Sequence, residues 1–296
     1  MITKEEFINL IKNEYPSCYQ EIIENMMKKR SNAFRINTLL SSKDQVLSSL
    51  DKLNIKYHKV DISDFSYLVD SSNQELMNLD LFKEGKIYLQ SISSQIPPLA
   101  LDLDMNMDIL DMCAAPGGKT SEIAQIVNNS SNIMACEENK IRCEKLKYNL
   151  SHLGCKNINV MLTDARKLDS FFRFDSILLD APCSGSGTIN IDNNKDLSYF
   201  SLLLVKNSAK TQKALLKKAI EILKPGSSMV YSTCSILKEE NEEVVKTVLN
   251  KNVVLEDINI NIDEACLLDS SLDKVLTIKP STNYEGFFIA KIKKLR

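Results

Sequence analysis

Apolar residues return at every third or fourth position over residues 4–12, where Phe7, Leu10 and Ile11 fall on one side, and the pattern repeats over residues 19–27. Two helices are therefore predicted at the start of the chain. Residues 33–37 then alternate apolar and polar side chains, as a half-buried strand does. Ser42 is placed to cap a helix with Val46, Leu47 and Leu50 on one side, and residues 55–60 read as another strand. Residues 1–84 are thus expected to form a small α/β domain, which either presents a substrate or simply packs against the rest of the chain.

Past residue 85 the pattern changes. A strand at 85–90 and a helix at 93–103, with Pro97-Pro98 in its first turns where proline is tolerated, lead into a regular alternation. Strands are predicted at 108–112, 132–136, 158–162, 175–180, 228–232 and 253–258, helices at 119–127, 139–153, 208–223 and 239–249, and a last strand at 286–292. Strands alternating with helices build a parallel, doubly wound, Rossmann-like sheet, so residues 85–296 read as one α/β domain.

Composition removes several function classes. With 44% hydrophobic and 26% charged residues, the 296-residue chain has the make-up of an ordinary globular protein. No apolar run approaches the roughly 18 residues of a membrane span and the first residues lack a signal-peptide pattern, so the cytoplasm is the expected location and no membrane partner is expected. The eight cysteines include no C-x-x-C pair, which argues against a disulfide framework or a zinc cluster, and two histidines offer little for a metal site. No metal is therefore expected. A formal charge of -2 gives no bulk basicity, so nucleic-acid binding would need local patches such as Lys28-Lys29-Arg30, Lys217-Lys218 or residues 291–296, each of which also reads as an ordinary solvated face.

Candidate chemistry gathers at three strand ends, each an apolar run that breaks into a loop with a cysteine: DMCAAPGGKT at 111–120, DAPCSGSGTI at 180–189 and VYSTCSI at 230–236. Open α/β sheets place their sites at such carboxyl ends. The loop of Cys113, Ala114, Ala115, Pro116, Gly117, Gly118 and Lys119 has the glycines and the following helix that receive a nucleotide-like ligand. It lacks the spacing of a phosphate loop, which favours a nucleoside with a small charged group. Glu137, ending the second strand, is positioned for ribose hydroxyls, and Asp164, ending the third, for an adenine edge; either acid could instead cap a helix. Asp180, Cys183 and Cys234 complete the set. A polarizable thiolate adds readily to carbon 6 of a pyrimidine, which makes carbon 5 nucleophilic, and a carboxyl at ring nitrogen 3 would share a proton with the intermediate. Taken singly, a Pro-Cys or Thr-Cys dipeptide is more simply a packed core thiol.

The three motifs, in this order, resemble those of the RNA 5-methylcytosine methyltransferases of the Sun (Fmu) family, with further likeness at 34–37, 89–95 and 280–290. The resemblance implies a class I methyltransferase fold, S-adenosylmethionine as cofactor and rRNA or tRNA as partner. It further implies that Cys234 attacks the base, that Cys183 assists product release and that Lys119 lies near the base. Residues 113–119, Glu137, Asp164 and Asp180 would contact the cofactor, and the N-terminal unit would resemble an RNA-recognition fold, although it lacks the aromatic-rich sheet motif. The chain departs from the family pattern at Ser91, where Asp is common after Gln, and at Glu285, where Asp is common. Rival readings are a DNA cytosine methyltransferase, in which Cys183 would be the nucleophile, an inactive RNA-binding assembly factor, and a dehydrogenase resting only on Gly185-Ser186-Gly187.

Overall fold

The computed structural model describes residues 2–296, without the side chain of Asn194. Two helices come first, α1 (Lys4–Glu14) and α2 (Tyr19–Met27). Thr3 opens α1 with a capping box: its hydroxyl accepts from the Glu6 amide while the Glu6 carboxylate takes the Thr3 amide. Next come β1 (Asn32–Ile36), α3 (Lys43–Lys52), β2 (Tyr57–Lys59), β3 (Ser66–Val69), α4 (Asn73–Asn78), α5 (Asp80–Lys83) and β4 (Ile87–Leu89). β1 to β4 form an antiparallel sheet in the order β2-β3-β1-β4, the β-α-β-β-α-β arrangement of ferredoxin-like and RNA-recognition folds.

This sheet changes the expected domain division. The strand at 87–89, assigned by pattern to the second domain, pairs with β1 and closes the first sheet, so a cut between residues 84 and 85 would run through it. The first two helices go the other way. Phe7, Ile11, Ile22 and Met26 pack on Ile189, Ile191 and Phe200 from the segment 189–200, with Phe7 and Phe200 edge to face at 5.1 Å. Pattern detects an apolar helix face but not which unit it covers.

The remaining elements are α6 (Ile92–Leu99), β5 (Asp108–Asp111), α7 (Gly118–Ile126), β6 (Asn132–Glu137), α8 (Lys140–His152), β7 (Ile158–Leu162), β8 (Phe174–Asp180), α9 (Asn194–Tyr199), α10 (Leu202–Ile222), β9 (Leu223–Thr233), α11 (Glu242–Val245), β10 (Val253–Glu256), β11 (Val275–Ile278) and β12 (Phe287–Lys294). They build an eight-stranded sheet in the order β10-β12-β9-β8-β5-β6-β7, with β11 also on β12. β5 to β9 are parallel, but β12 runs antiparallel to β9, β10 and β11, which corrects the expectation of an all-parallel sheet. The strand order reverses between β5 and β8, opening a crevice at their carboxyl ends. Within α6, Pro97 and Pro98 lie in the last turns rather than the first. Pro98 cannot donate to the Ser94 carbonyl, which instead accepts from the Gln90 side-chain amide at 3.0 Å. The helix predicted at 239–249 shortens to a single 3-10 turn and α11.

Candidate active site

β5 delivers Asp111 into the crevice, and the loop after it turns sharply into α7. Gly117, at φ +109°, occupies the left-handed region that only glycine adopts freely. A Cβ on Gly118 would lie 2.9 Å from the Tyr88 ring, so the helix start can approach β4 only without a side chain there. Asp111 is buried and holds the loop, accepting from the Thr120 hydroxyl at 2.7 Å and the Cys113 amide at 3.3 Å. Burial pushes its carboxyl up to about 6 and raises the Cys113 thiol well above the usual range. Two side chains from α8 fasten the outer rim: Arg142 donates to the Ala115 carbonyl at 2.9 Å and Asn149 to the Pro116 carbonyl at 2.7 Å.

Glu137 and Asp164 stand at the ends of β6 and β7, as their positions in the pattern required, and line the same cavity as Cys113, Ala115 and Asp180. Its volume is about 260 Å³. Both acids also do local work. Glu137 accepts the Asn139 amide at 2.8 Å and sits 3.4 Å from Arg142. Asp164 accepts the Arg166 amide at 3.0 Å and forks with the Arg166 guanidinium, whose hydrogen bonds hold its carboxyl below the usual range. The capping role open to these acids is therefore present at Asp164 alongside its place in the crevice.

β8 and β9 end side by side, and their loops bring Cys183 and Cys234 together with the sulfurs 3.0 Å apart. The hydrogen bond to Cys234 and burial together raise the Cys183 thiol well above its ordinary range. Lys119, from the first turn of α7, donates to Asp180 at 2.8 Å and to the Ser94 hydroxyl at 2.7 Å. Burial works against its charge, but the Asp180 carboxylate more than offsets this and holds the ammonium above the usual lysine range. Asp180 also accepts from Ser232 at 2.8 Å. On the other side of Asp180 and Cys234 lies a second cavity, of about 370 Å³, lined by Lys119, Ser94, Tyr88 and Phe287. Asp180 and Cys234 thus form a wall common to both cavities.

Sequence reasoning missed the residue that ties the two cysteine loops together. Glu240, buried beneath the loops, accepts from the Ser184 amide at 2.7 Å, the Ser184 hydroxyl at 2.5 Å and the Ser235 hydroxyl at 2.6 Å. Each of these serines directly follows one of the two cysteines. Burial raises the Glu240 carboxyl, and the serine hydrogen bonds oppose that rise. No local signal marks it, because its partner Ser184 lies 56 positions away. Ser94, marked in the sequence only by the likeness of its segment, is the second omission. Among the described residues no cluster of three or more His, Cys, Asp or Glu could hold a metal ion, and no helix is long and apolar enough to cross a membrane.

A glycine-turned loop entering a helix at the first strand, acids at the next two strand ends and a strand-order reversal at the crevice define a Rossmann-like methyltransferase fold. The chain belongs to the family described as 16S rRNA methyltransferase RsmB/F, whose model matches residues 98–293. The motif resemblance to Sun (Fmu)-type enzymes is thereby borne out. A relative from Shewanella piezotolerans, ribosomal RNA small subunit methyltransferase F, is 33% identical across 98% of this chain. The tRNA (cytosine(72)-C(5))-methyltransferase of Pyrococcus horikoshii is 37% identical across 75% of this chain and 56% of its own length. The chain spans 64% of the length of the Shewanella relative. A methyltransferase homologue from Pyrococcus horikoshii has a crystal structure that superposes with a TM-score of 0.85 at 33% identity, covering 97% of this chain and 94% of that one.

Proposed function

We propose that the protein methylates carbon 5 of a cytosine in RNA, through a transient bond between Cys234 and carbon 6 of the base. The observation that carries this is the thiol pair at 3.0 Å set beside the Lys119–Asp180 ion pair on one wall between two cavities. The donor set of the smaller cavity fits S-adenosylmethionine: a buried acid at Glu137 and a partly exposed one at Asp164 for hydroxyl and ring-amine groups, close approach at Cys113 and Ala115, and apolar walls from Met112 and Leu215. When bound there, S-adenosylmethionine supplies an electrophilic methyl group. The cavity with Lys119, Ser94 and Tyr88 would take the base, which must be unpaired or flipped out to be reached.

Attack requires Cys234 as the thiolate, while the hydrogen bond to Cys234 and burial favour the protonated form of Cys183. Its sulfur bonds to carbon 6, the double bond between carbons 5 and 6 opens, and nitrogen 3 takes a proton from the Lys119–Asp180 pair. Carbon 5 is then the nucleophile to which the bound cofactor would give its methyl group, the methyl–sulfur bond breaking to leave S-adenosylhomocysteine. Cys183 releases its proton to solvent and, as a thiolate, removes the hydrogen from carbon 5. That electron pair restores the ring double bond, the sulfur–carbon pair returns to Cys234, and the nitrogen 3 proton returns to the ion pair. One proton is released for each methyl group transferred.

Nucleoside mass spectrometry of unmodified 16S rRNA after incubation with S-adenosylmethionine tests the assignment. Wild type should yield 5-methylcytidine, Cys234→Ala none, and Cys183→Ala a protein–RNA adduct that survives denaturing gels. Full activity in Cys234→Ala with loss and no adduct in Cys183→Ala would reverse the two roles and favour the DNA-type mechanism.

A further inference from the structure

RNA-recognition folds stack bases on the open face of their sheet, using aromatic side chains from its two central strands. In this protein that face is closed. The central strands β1 and β3 turn Arg35 and Ser66 towards it, and both are buried under the second unit. The Ser66 hydroxyl donates to Gln95 of α6 at 2.7 Å, and Arg35 donates to Ser121 of α7 at 2.8 Å and to Gln125. The aromatic residues of the same strands, Phe34 and Tyr67, face the other way and stack on each other at 5.5 Å in the core with Val46 and Leu50 of α3. Neither central strand therefore presents an open aromatic ring to a base.

An open path lies at the sheet's edge instead. A groove of about 430 Å³ is lined by Lys28, Lys29 and Arg30 together with Gln90, Ser91, Thr188 and Glu285. Those last four residues also line the cavity that holds Lys119, Asp180 and Cys234, so groove and cavity adjoin. Arg30 is committed to the junction: it donates to the Thr188 carbonyl at 2.8 Å and the Gly187 carbonyl at 3.1 Å, and lies 3.9 Å from Glu285. Glu285 in turn accepts from Ser91 at 2.6 Å, so the two positions that depart from the family pattern meet at this threshold. Lys28 and Lys29 stay exposed on the rim.

Resting on the RNA-methylation reading, we propose that this groove takes the sugar-phosphate backbone beside the target cytosine, with Lys28 and Lys29 each neutralising one phosphate. The strand then reaches the thiols along the edge of the N-terminal sheet and not across its face. In a chain of net charge -2, two exposed lysines beside the cavity mouth are a local attraction that the overall charge does not supply.

The test is the salt dependence of binding of a fluorescent twelve-nucleotide oligocytidylate to the full chain with S-adenosylmethionine present. Two phosphate contacts on a single strand contribute about 1.4 to the slope of log affinity against log salt. Lys28→Glu/Lys29→Glu should flatten the slope by about that amount and weaken binding at least about tenfold at low salt. Lys213→Glu/Lys251→Glu, the same charge change at residues that line neither cavity, should keep the wild-type slope, and S-adenosylmethionine affinity should be unchanged in both. Equal slopes in the groove variant and wild type overturn the path, as does an equal flattening in the control pair. A wild type that methylates RNA but shows no salt-dependent oligonucleotide binding overturns it too, while a wild type that methylates no RNA takes down the underlying reading.

Discussion

Arg35→Met should destabilise the protein by about 3 kcal/mol at pH 7, near the lower end of the roughly 3–5 kcal/mol seen when one partner of a buried pair is removed. Arg35 is fully buried between the two units, 3.8 Å from Glu122, and also reaches Gln90 and the Gly118 carbonyl at 3.4 Å each. Removing the guanidinium leaves Ser121, Gln125 and Glu122 without their shared donor, at a cost of about 1–3 kcal/mol for each group that stays unsatisfied. Glu122 limits the damage. Burial, opposed by Arg35, pushes its carboxyl up to about 8, so near neutral pH it already tends to hold a proton. Urea unfolding followed by circular dichroism, with equal slopes for both proteins, measures the difference. Arg35→Met/Glu122→Met should recover much of the loss, because apolar side chains of similar volume tolerate the site. A single-variant loss below about 1 kcal/mol, or no recovery in the double variant, would refute the claim that this network joins the units.

Gly187→Ala should lose activity and about 1–3 kcal/mol of stability by urea unfolding, since the added Cβ would fall 2.1 Å from the Gly286 carbonyl oxygen and displace the loop that hydrogen-bonds Cys234. Glu240→Ala should cut the methylation rate at least about tenfold while leaving S-adenosylmethionine affinity in calorimetry unaltered, because Glu240 ties together the two cysteine loops and does not line the smaller cavity. Glu122→Gln should flatten the pH dependence of stability. The folded carboxyl keeps its proton up to about 8 where the unfolded one loses it near 4.5, so the wild-type contribution is complete below pH 4.5 and is lost as pH rises through 8. At about 1.4 kcal/mol per pH unit, wild type should lose roughly 4–5 kcal/mol relative to the variant across that window in urea titrations.

The parallel strands and their helices were legible because a buried strand and an amphipathic helix each write their period into neighbouring residues. The positions of Cys113 to Lys119, Glu137, Asp164, Asp180, Cys183 and Cys234 around one crevice, though not their roles, were legible too, since a strand's last residues mark where its carboxyl end will be. Strand direction was not legible: nothing in residues 287–294 distinguishes an antiparallel partner of β9 from a parallel one. β3 and β11, four residues each, were not legible as strands. Arg35 reads as the polar half of an alternation, and only the packing of α7 on that face turns it into a buried cation. Ser94 and Glu240 owe their roles to contacts 25 and 56 positions away.

The two thiols raise the same question at higher resolution, because adjacent strand ends alone do not fix two side chains at 3.0 Å. Neighbouring strands lie about 4.8 Å apart, and each loop could carry its cysteine away from the other. The closer spacing follows from a common anchor one residue further along each loop. Glu240 holds Ser184 and Ser235 on the same carboxylate oxygen, while Gly187 donates to the Cys234 carbonyl at 3.0 Å and accepts from Gly286 at 2.9 Å. The glycines are required there because backbone meets backbone with no room for a Cβ. A serine after each cysteine and a glycine at 187 are thus parts of one clamp. The chemistry assigned to Cys183 and Cys234 depends on a carboxylate that touches neither sulfur.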